Sequence, residues 1–427
     1  MRAIIILNFI ISILFTLCYA YQFVYIIVGL LRKSVKYVAK KKHRFATVIS
    51  ARNESAVIGN LIESIKSQNY PAELIDIYVI ADNCTDDTAK TAREAGAFVY
   101  ERFDTEQIGK GYALDWFFKK LKKFQSDEYD AYIIFDADNV LDRNFVSEMK
   151  AVFDNGYRII TSYRNSKNYG ENWLSAGYSL WFLREARYLN NVRMILGTSC
   201  AISGTGFLVS AEIIDNNNGW IHHLLTEDIE FTTDSIIAGE KIGYCADAIV
   251  YDEQPTKMKQ SYIQRLRWAK GFYQVFNNYG CKLVKGIKKG SFACYDMLMT
   301  IMPAMLLTLL IVCFNLIAIP GGIISNSPEL PLLIKTLSQT LLGFYVMFFV
   351  IGLVTTITEW KQIHCSDAKK ILYLFTFPVF MLTYVPISIV ALFKKVKWEP
   401  IKHSVSVTLN DIRGEKEEVE ETFEQSF

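Results

Sequence analysis

"AYIIFDADN", residues 131–139, runs five apolar residues into two carboxylates one residue apart, Asp136 and Asp138. So short an apolar run, stopped by polar turn formers, reads as a buried strand. Upstream the pattern repeats: "FATVIS" (45–50), a helix through "ESAVIGNLIESIKSQ" (54–68), "IDIYVIA" (75–81), a helix begun by Thr85, "AFVY" (97–100) and a helix through "YALDWFFKKLKK" (112–123). Strands alternating with helices imply an α/β domain whose mainly parallel sheet carries helices on both faces. Ligands of such sheets bind beyond the carboxyl ends of the strands. Three of these ends are polar: "ARNES" (51–55), Asp82-Asn83 and Asp136-Ala137-Asp138. Any one of them alone is an ordinary turn or helix cap. Three at one sheet edge point to a site.

Two carboxylates at a strand end can reach a hard divalent cation, Mg²⁺ or Mn²⁺, and through it a diphosphate whose departure the cation assists. A second acidic group stands in "LLTEDIEF" (224–231), where Thr226 is placed to cap a helix carrying Glu227 and Asp228 in its first turn. Such acids suit the helix dipole without any chemistry. Beside a metal-diphosphate site, however, one carboxylate can take the proton from an attacking hydroxyl, and an inverting glycosyl transfer needs only one such base. His222 and His223 read as ordinary polar residues.

"QSYIQRLRWAKGFYQVF" (260–276) sets Tyr262, Leu266, Ala269 and Phe272 or Tyr273 at helical spacing, an interfacial amphipathic helix. Its polar edge offers more than solubility. Arg267 presents a planar, permanently charged fork suited to a leaving diphosphate. Gln264, one turn earlier on the same face, adds a neutral hydrogen bond. Trp268 offers a surface on which an acceptor sugar ring can stack.

The chain has 427 residues, 51% of them hydrophobic, gathered into long apolar runs at 3–31, 297–319, 336–358 and 371–393. Each is long enough to cross a hydrocarbon core, which takes about 20 residues of helix. The first run reads as a retained anchor rather than a cleaved signal. Basic flanks at 32–44 and 282–289 place the intervening region in the cytosol. The expected organisation is a transmembrane helix (1–31), a basic linker (32–44), a catalytic domain (45–258), the interfacial helix (259–290), a membrane region of about three spans (291–393) and a tail (394–427). One conflict stands out: a full crossing by 371–393 puts the lysines of "KKVKWEPIKH" (394–403) outside, against the charge rule, unless Pro378 and Pro386 break that run into a re-entrant shape. The acidic end, 413–427, reads as disordered. The eight scattered cysteines read as reduced thiols.

Taken in order, Asp82, the Asp136/Asp138 pair, Thr226-Glu227-Asp228 and Gln264-x-x-Arg267-Trp268 resemble the processive-type family 2 glycosyltransferases: the cellulose, chitin, hyaluronan and poly-N-acetylglucosamine synthases. "ARNES", "GKGYAL" (109–114), "SGTGF" (203–207) and "YDEQP" (251–255) add to the likeness. The resemblance implies a GT-A fold, a UDP-sugar donor and inversion at the anomeric carbon. It implies that Arg52, Glu54 and Asp82, after Ser50 at the end of the first strand, hold the uridine. Lys110 would lie near the nucleotide, Asp136 on it and Asp138 on the metal. Asp228 would be the base, with Gly204, Thr205 and Gly206 near the acceptor. Two departures matter: Ser50 stands where many relatives have proline, and the spans are few for a single-chain secretion channel. The expected function is a multi-pass cell-membrane transferase with a cytosolic catalytic domain, working from a UDP-sugar onto a saccharide acceptor to build a β-linked polysaccharide or oligosaccharide. The alternative is transfer onto a lipid. A degenerate, non-enzymatic synthase subunit is the remaining reading. The bilayer is a partner, an accessory subunit or a second copy is compatible, and no nucleic acid is expected.

Overall fold

In the computed structural model, which describes residues 2–124 and 128–414, the β-branched runs do become strands. Helix α1 (Arg2–Leu31) leads into β1 (Phe45–Ala51), α2 (Ile58–Lys66), β2 (Ile75–Asp82), α3 (Thr88–Glu94), β3 (Phe98–Arg102), α4 (Lys110–Phe124) and β4 (Ala131–Asp136). Then come β5 (Val140–Leu141), α5 (Phe145–Phe153), β6 (Ile159–Ser166), α6 (Trp173–Arg184), a π-helical turn (Glu185–Asn190) and α7 (Asn191–Leu196). β7 (Phe207–Ser210), α8 (Ala211–Asn216), α9 (Glu227–Ala238) and β8 (Ile242–Asp252) complete the sheet. Seven helices follow among the described residues, beginning with α10 (Met258–Lys288), α11 (Phe292–Ile301), α12 (Pro303–Ile324), α13 (Leu330–Thr358) and α14 (Asp367–Leu382). The last two are α15 (Tyr384–Phe393) and α16 (Leu409–Arg413).

The sheet order is β3-β2-β1-β4-β7-β6-β8-β5, and only β7 and β5 run against the other six strands among the described residues. Strands this apolar must be covered on both faces, and β1, β2 and β4 are buried along nearly their whole length. In register, Ser50 lies opposite Asp136 and Ala51 opposite Ala81. The three polar strand ends therefore meet at one edge. The carboxyl ends of β6 and β8, with Ser166 opposite Asp252, reach the same edge.

One boundary moves. The helix expected from Thr85 starts at Thr88, because the Thr85 N–H donates to Asn53 Oδ1 (2.8 Å) and is used to order the preceding loop instead.

Among the described residues, four helical segments are long and apolar enough to cross a membrane: Arg2–Leu31, Phe292–Ile324, Leu330–Thr358 and Asp367–Phe393. Large apolar side chains such as Phe9, Leu17, Leu316 and Leu342 face outward from them. The last segment breaks at Thr383, where Pro386 lacks the N–H that would bond Leu382 and continue the helix. Pro378, by contrast, is accommodated inside α14. Both ends of this broken segment touch the α/β region: Lys369 Nζ donates to the Gly170 carbonyl (2.6 Å), and Lys270 Nζ to that of Ala391 (3.0 Å). The acidic end of the chain from residue 415 on lies outside the described residues.

Candidate active site

The turns at the ends of β1 and β2 are made by Asn53 and Asn83, both in the left-handed region (φ 59° and 53°), a conformation asparagine tolerates better than other side chains. Giving the turns to asparagine leaves Ser50, Arg52, Glu54 and Asp82 to line a cavity of about 820 Å³ together with Lys110, Asp136 and Asp138. Asp82 accepts from Arg102 Nη1 (2.6 Å) and Asn83 Nδ2 (3.1 Å). Lys110, in the first turn of α4, donates from Nζ to Asp136 Oδ1 (2.6 Å) and to the Gly204 carbonyl (2.8 Å), tying this aspartate to the loop before β7.

Asp138 is almost fully buried, and its Oδ2 accepts the Glu253 N–H (2.9 Å). Burial raises its pKa, but the charges of His403 and Lys167 outweigh that and the net displacement is downward. His403 arrives from the segment after α15. Its Nδ1 lies 2.8 Å from Glu54 Oε1 and its Nε2 4.0 Å from Asp138 Oδ2. Burial lowers the pKa of this imidazole, yet the carboxylates of Asp138, Glu54 and Glu253 push it up to about 10. His403 is therefore a cation seated on two site carboxylates.

On the opposite wall, α9 begins at Glu227 as expected, but Thr226 does not cap it. The Thr226 side chain is instead wedged against α10, where a Cβ on Gly271 would fall 2.4 Å from Thr226 Oγ1. Glu227 and Asp228 both line the cavity. Burial, then the charge of Asp228, pushes Glu227 up to about 7, and burial raises Asp228 against the pull of the Ile229 N–H, Lys110, Arg164 and Arg267. Gln264, Arg267 and Trp268 line the same cavity from α10. Gln264 Oε1 and Arg267 Nε are buried without protein hydrogen-bond partners, as expected of groups reserved for a ligand. The Trp268 ring is packed edge-on against Tyr178 (5.7 Å) and Phe182 (6.2 Å), and it forms wall as well as surface.

Two expected acceptor residues are not at the cavity. Thr205 is buried, its Oγ1 accepting the Asp136 N–H (2.9 Å), so it braces the aspartate loop from behind. Gly206 has φ +63° and lies where a Cβ would strike Ser162 and Val250, so its place is one of packing. Of the three, Gly204 alone lines the cavity.

Other lining residues carried no expectation. Arg164, from the end of β6, donates from Nε to Asp252 Oδ2 (2.8 Å) and from Nη1 to the Ser203 carbonyl (2.6 Å), and stacks on Phe182 at 3.8 Å. Glu253 accepts the N–H groups of Ser404 and Val405, anchoring the tail, and Trp398 of that tail lies 5.2 Å from the Arg52 guanidinium. Only "YDEQP" gave a local signal for any of these. The tail contacts pair residues hundreds of positions apart, which no spacing rule reaches.

Among the described residues no three His, Cys, Asp or Glu side chains form a ready metal-binding group. Asp136 and Asp138 nonetheless fit a hard divalent cation that draws its remaining ligands from a diphosphate. They offer carboxylate oxygens at one loop, and the protein already places two cationic side chains, Lys110 and His403, beside them.

A largely parallel sheet with acidic strand ends, a carboxylate-bearing helix start facing them and a cavity between is the layout of a GT-A nucleotide-sugar transferase. The chain belongs to the glycosyltransferase like family 2, whose model matches residues 43–271. Among characterised relatives, a beta-monoglucosyldiacylglycerol synthase of Synechocystis sp. is 25% identical over 238 residues, 54% of this chain and 48% of that protein. A probable glycosyltransferase of Bacillus subtilis is 24% identical over 258 residues, 54% of this chain and 56% of its own length. The chain thus spans about half the length of these relatives. A mannosyltransferase from Pyrobaculum calidifontis, solved with GDP-Man and Mn²⁺, superposes with a TM-score of 0.57 at 15% identity, covering 91% of this chain and 99% of the other. At that identity the likeness speaks for the fold.

Proposed function

We propose that this protein transfers a sugar, with inversion, from a UDP-sugar to a hydroxyl of a lipid acceptor that enters from the bilayer. One observation carries the reading: the cavity lined by Asp136 and Asp228 continues past Trp181 and Phe182 between the apolar helices, where Phe15, Met305, Ile311, Leu337, Phe344 and Val385 line it. An apolar passage suits acyl or prenyl chains, whereas a saccharide chain needs polar partners along its path. The glycolipid product in the Synechocystis relative's name supports the same choice. The edge-on packing of Trp268 leaves less ring face for stacking a sugar than the saccharide reading requires.

In this scheme Arg52, Glu54 and Asp82 hold the nucleoside, while Arg267 and Gln264 meet the diphosphate as it gains charge. Asp228 takes the proton of the attacking hydroxyl, and Lys110 and Arg164 keep it ionised. A divalent cation held by Asp136 and Asp138 would neutralise the leaving diphosphate. The site faces the cytosol, and α14–α15 dips into the membrane and returns to the same side, which lets the lysines of 394–403 stay beside the catalytic domain.

The test uses full-length protein in detergent with a panel of labelled UDP-sugars, Mg²⁺ or Mn²⁺, and membrane lipids. One discrete lipid product, absent with Asp228→Asn, supports the proposal. A ladder of water-soluble saccharides overturns the lipid acceptor, and equal transfer by Asp228→Asn overturns the base.

A further inference from the structure

The neck of the cavity, between the catalytic carboxylates and the apolar passage, carries a carboxylate that the scheme above leaves unused. Glu185 stands at the first position of the π-helical turn that joins α6 to α7, and it lines the cavity with Phe182, Leu189 and Arg193. Insertions of this kind re-aim side chains and recur at functional sites. No hydrogen bond or ion pair to the Glu185 carboxylate is formed among the described residues, although it is only partly accessible.

Its neighbours are cations already committed elsewhere. Arg193 is held by Asp296 through Nε (2.7 Å) and Nη2 (2.8 Å), and that same aspartate accepts from Tyr21 and Tyr25. Arg164 is held by Asp252, and Arg184 donates to Gln22 Oε1 (2.6 Å) over the Trp181 ring. Burial raises the Glu185 pKa, and the three arginines oppose that rise. Their charges make an ionised carboxylate tenable there without filling its lone pairs. A buried carboxylate with free acceptor capacity is costly unless a ligand supplies donors.

We propose that Glu185 binds the acceptor headgroup, and that the acceptor is an uncharged lipid carrying at least two headgroup hydroxyls, one facing Asp228 and another donating to Glu185. The inference rests on the lipid reading of the cavity and deepens it. A phosphorylated lipid would set its own anion against Glu185. A cationic headgroup would add its charge to the three arginines that already act on Glu185. A sugar or polyol headgroup offers donors without net charge.

The experiment compares three acceptors with the same acyl chains in detergent micelles: dioleoylglycerol, its monoglucosyl derivative, and dioleoyl phosphatidylglycerol, which is anionic but also carries two headgroup hydroxyls. Wild-type kcat/KM is expected to be highest for the glucosylated lipid. Glu185→Gln, which keeps shape but removes charge, is expected to raise KM for that lipid about 10-fold or more, the worth of a hydrogen bond to a charged group, with a smaller change in kcat. Glu185→Asp is expected to recover part of the loss. A wild type that prefers phosphatidylglycerol or dioleoylglycerol overturns the inference even if the variants do not fold. An unchanged KM in a folded Glu185→Gln protein overturns it as well. The lipid reading itself fails on a different result: none of the three lipids is glycosylated while sugar appears on soluble saccharide.

Discussion

Replacing Arg164 by methionine tests how the base is kept ionised. A Cβ on Gly204 would lie 3.6 Å from Asp228 Oδ2 and 3.7 Å from Arg164 Nη1, so the two groups are no farther apart than the sum of those distances, about 7 Å. With an effective dielectric constant of about 20, one positive charge at that separation stabilises the carboxylate by about 2 kcal/mol, roughly thirtyfold in its ionisation equilibrium. Burial already holds the Asp228 pKa above the ordinary carboxylate value. Removing a cation raises it further. A base must be deprotonated to work, so the acid limb of kcat/KM should move to higher pH, with a loss of roughly thirtyfold below the limb and recovery above it. Because Arg164→Met also strands Asp252, whose pKa burial pushes to about 6, the profile should be measured in Arg164→Met/Asp252→Asn as well. An acid limb that stays in place, or a loss equal at every pH, would refute the electrostatic role and leave Arg164 only a structural one.

Asp228→Asn should lower transfer by about 10²–10⁴-fold, the usual worth of a positioned base, while calorimetry shows nucleotide binding retained. Chelation should stop transfer and added Mg²⁺ or Mn²⁺ restore it; full turnover in excess chelator would count against the Asp136/Asp138 assignment. Arg193→Met should destabilise the protein by about 3–5 kcal/mol, because it leaves Asp296 buried and unpaired, and Arg193→Met/Asp296→Leu should recover most of this in detergent denaturation curves. Gly271→Val should cut kcat with little change in nucleotide affinity, since its side chain must push Thr226, and with it the start of α9, away from α10.

The N-terminal half of the sheet was legible because each of its strands is a short, β-branched run, and alternation with helices leaves little topological choice. Polar residues at parallel strand ends then locate the site by geometry alone, which is how Ser50, Asp82 and Asp136 come to share an edge. The second half was not legible. β6, β7 and β8 sit next to one another through a strand order that no local period encodes. Thr226 shows the limit of motif reading: its residue type and position fit a cap, yet contact with Gly271 decides where its side chain goes. Thr205 shows another: the resemblance puts "SGTGF" near the acceptor, whereas the threonine hydroxyl accepts the Asp136 N–H from behind the aspartate loop. His403, Trp398 and Glu185 became visible only once distant segments were brought together.

Helix α10 ties the membrane region to the chemistry through two arginines that the sequence alone makes look alike. Arg265 is fully buried and donates from Nη1 to Thr383 Oγ1 (2.6 Å) and to the Phe380 carbonyl (3.3 Å), where the break between α14 and α15 leaves last-turn carbonyls in need of donors. Its guanidinium lies 4.8 Å from the Phe380 ring centroid, with Tyr178 and Tyr384 within 6 Å. Arg267, two residues on and so about 200° around the helix, instead faces the cavity. One face of the helix therefore holds the break between α14 and α15, while the opposite face turns Gln264 and Arg267 to the cavity, the groups proposed to meet the diphosphate. Since Met381, Leu382 and Val385 line the apolar passage, the wall proposed to hold the acceptor and the arginine proposed to meet the donor are both tied to a single rigid element. Their separation is then fixed by helix geometry rather than by a loop, which is what an attack between a lipid hydroxyl and a nucleotide-bound sugar requires.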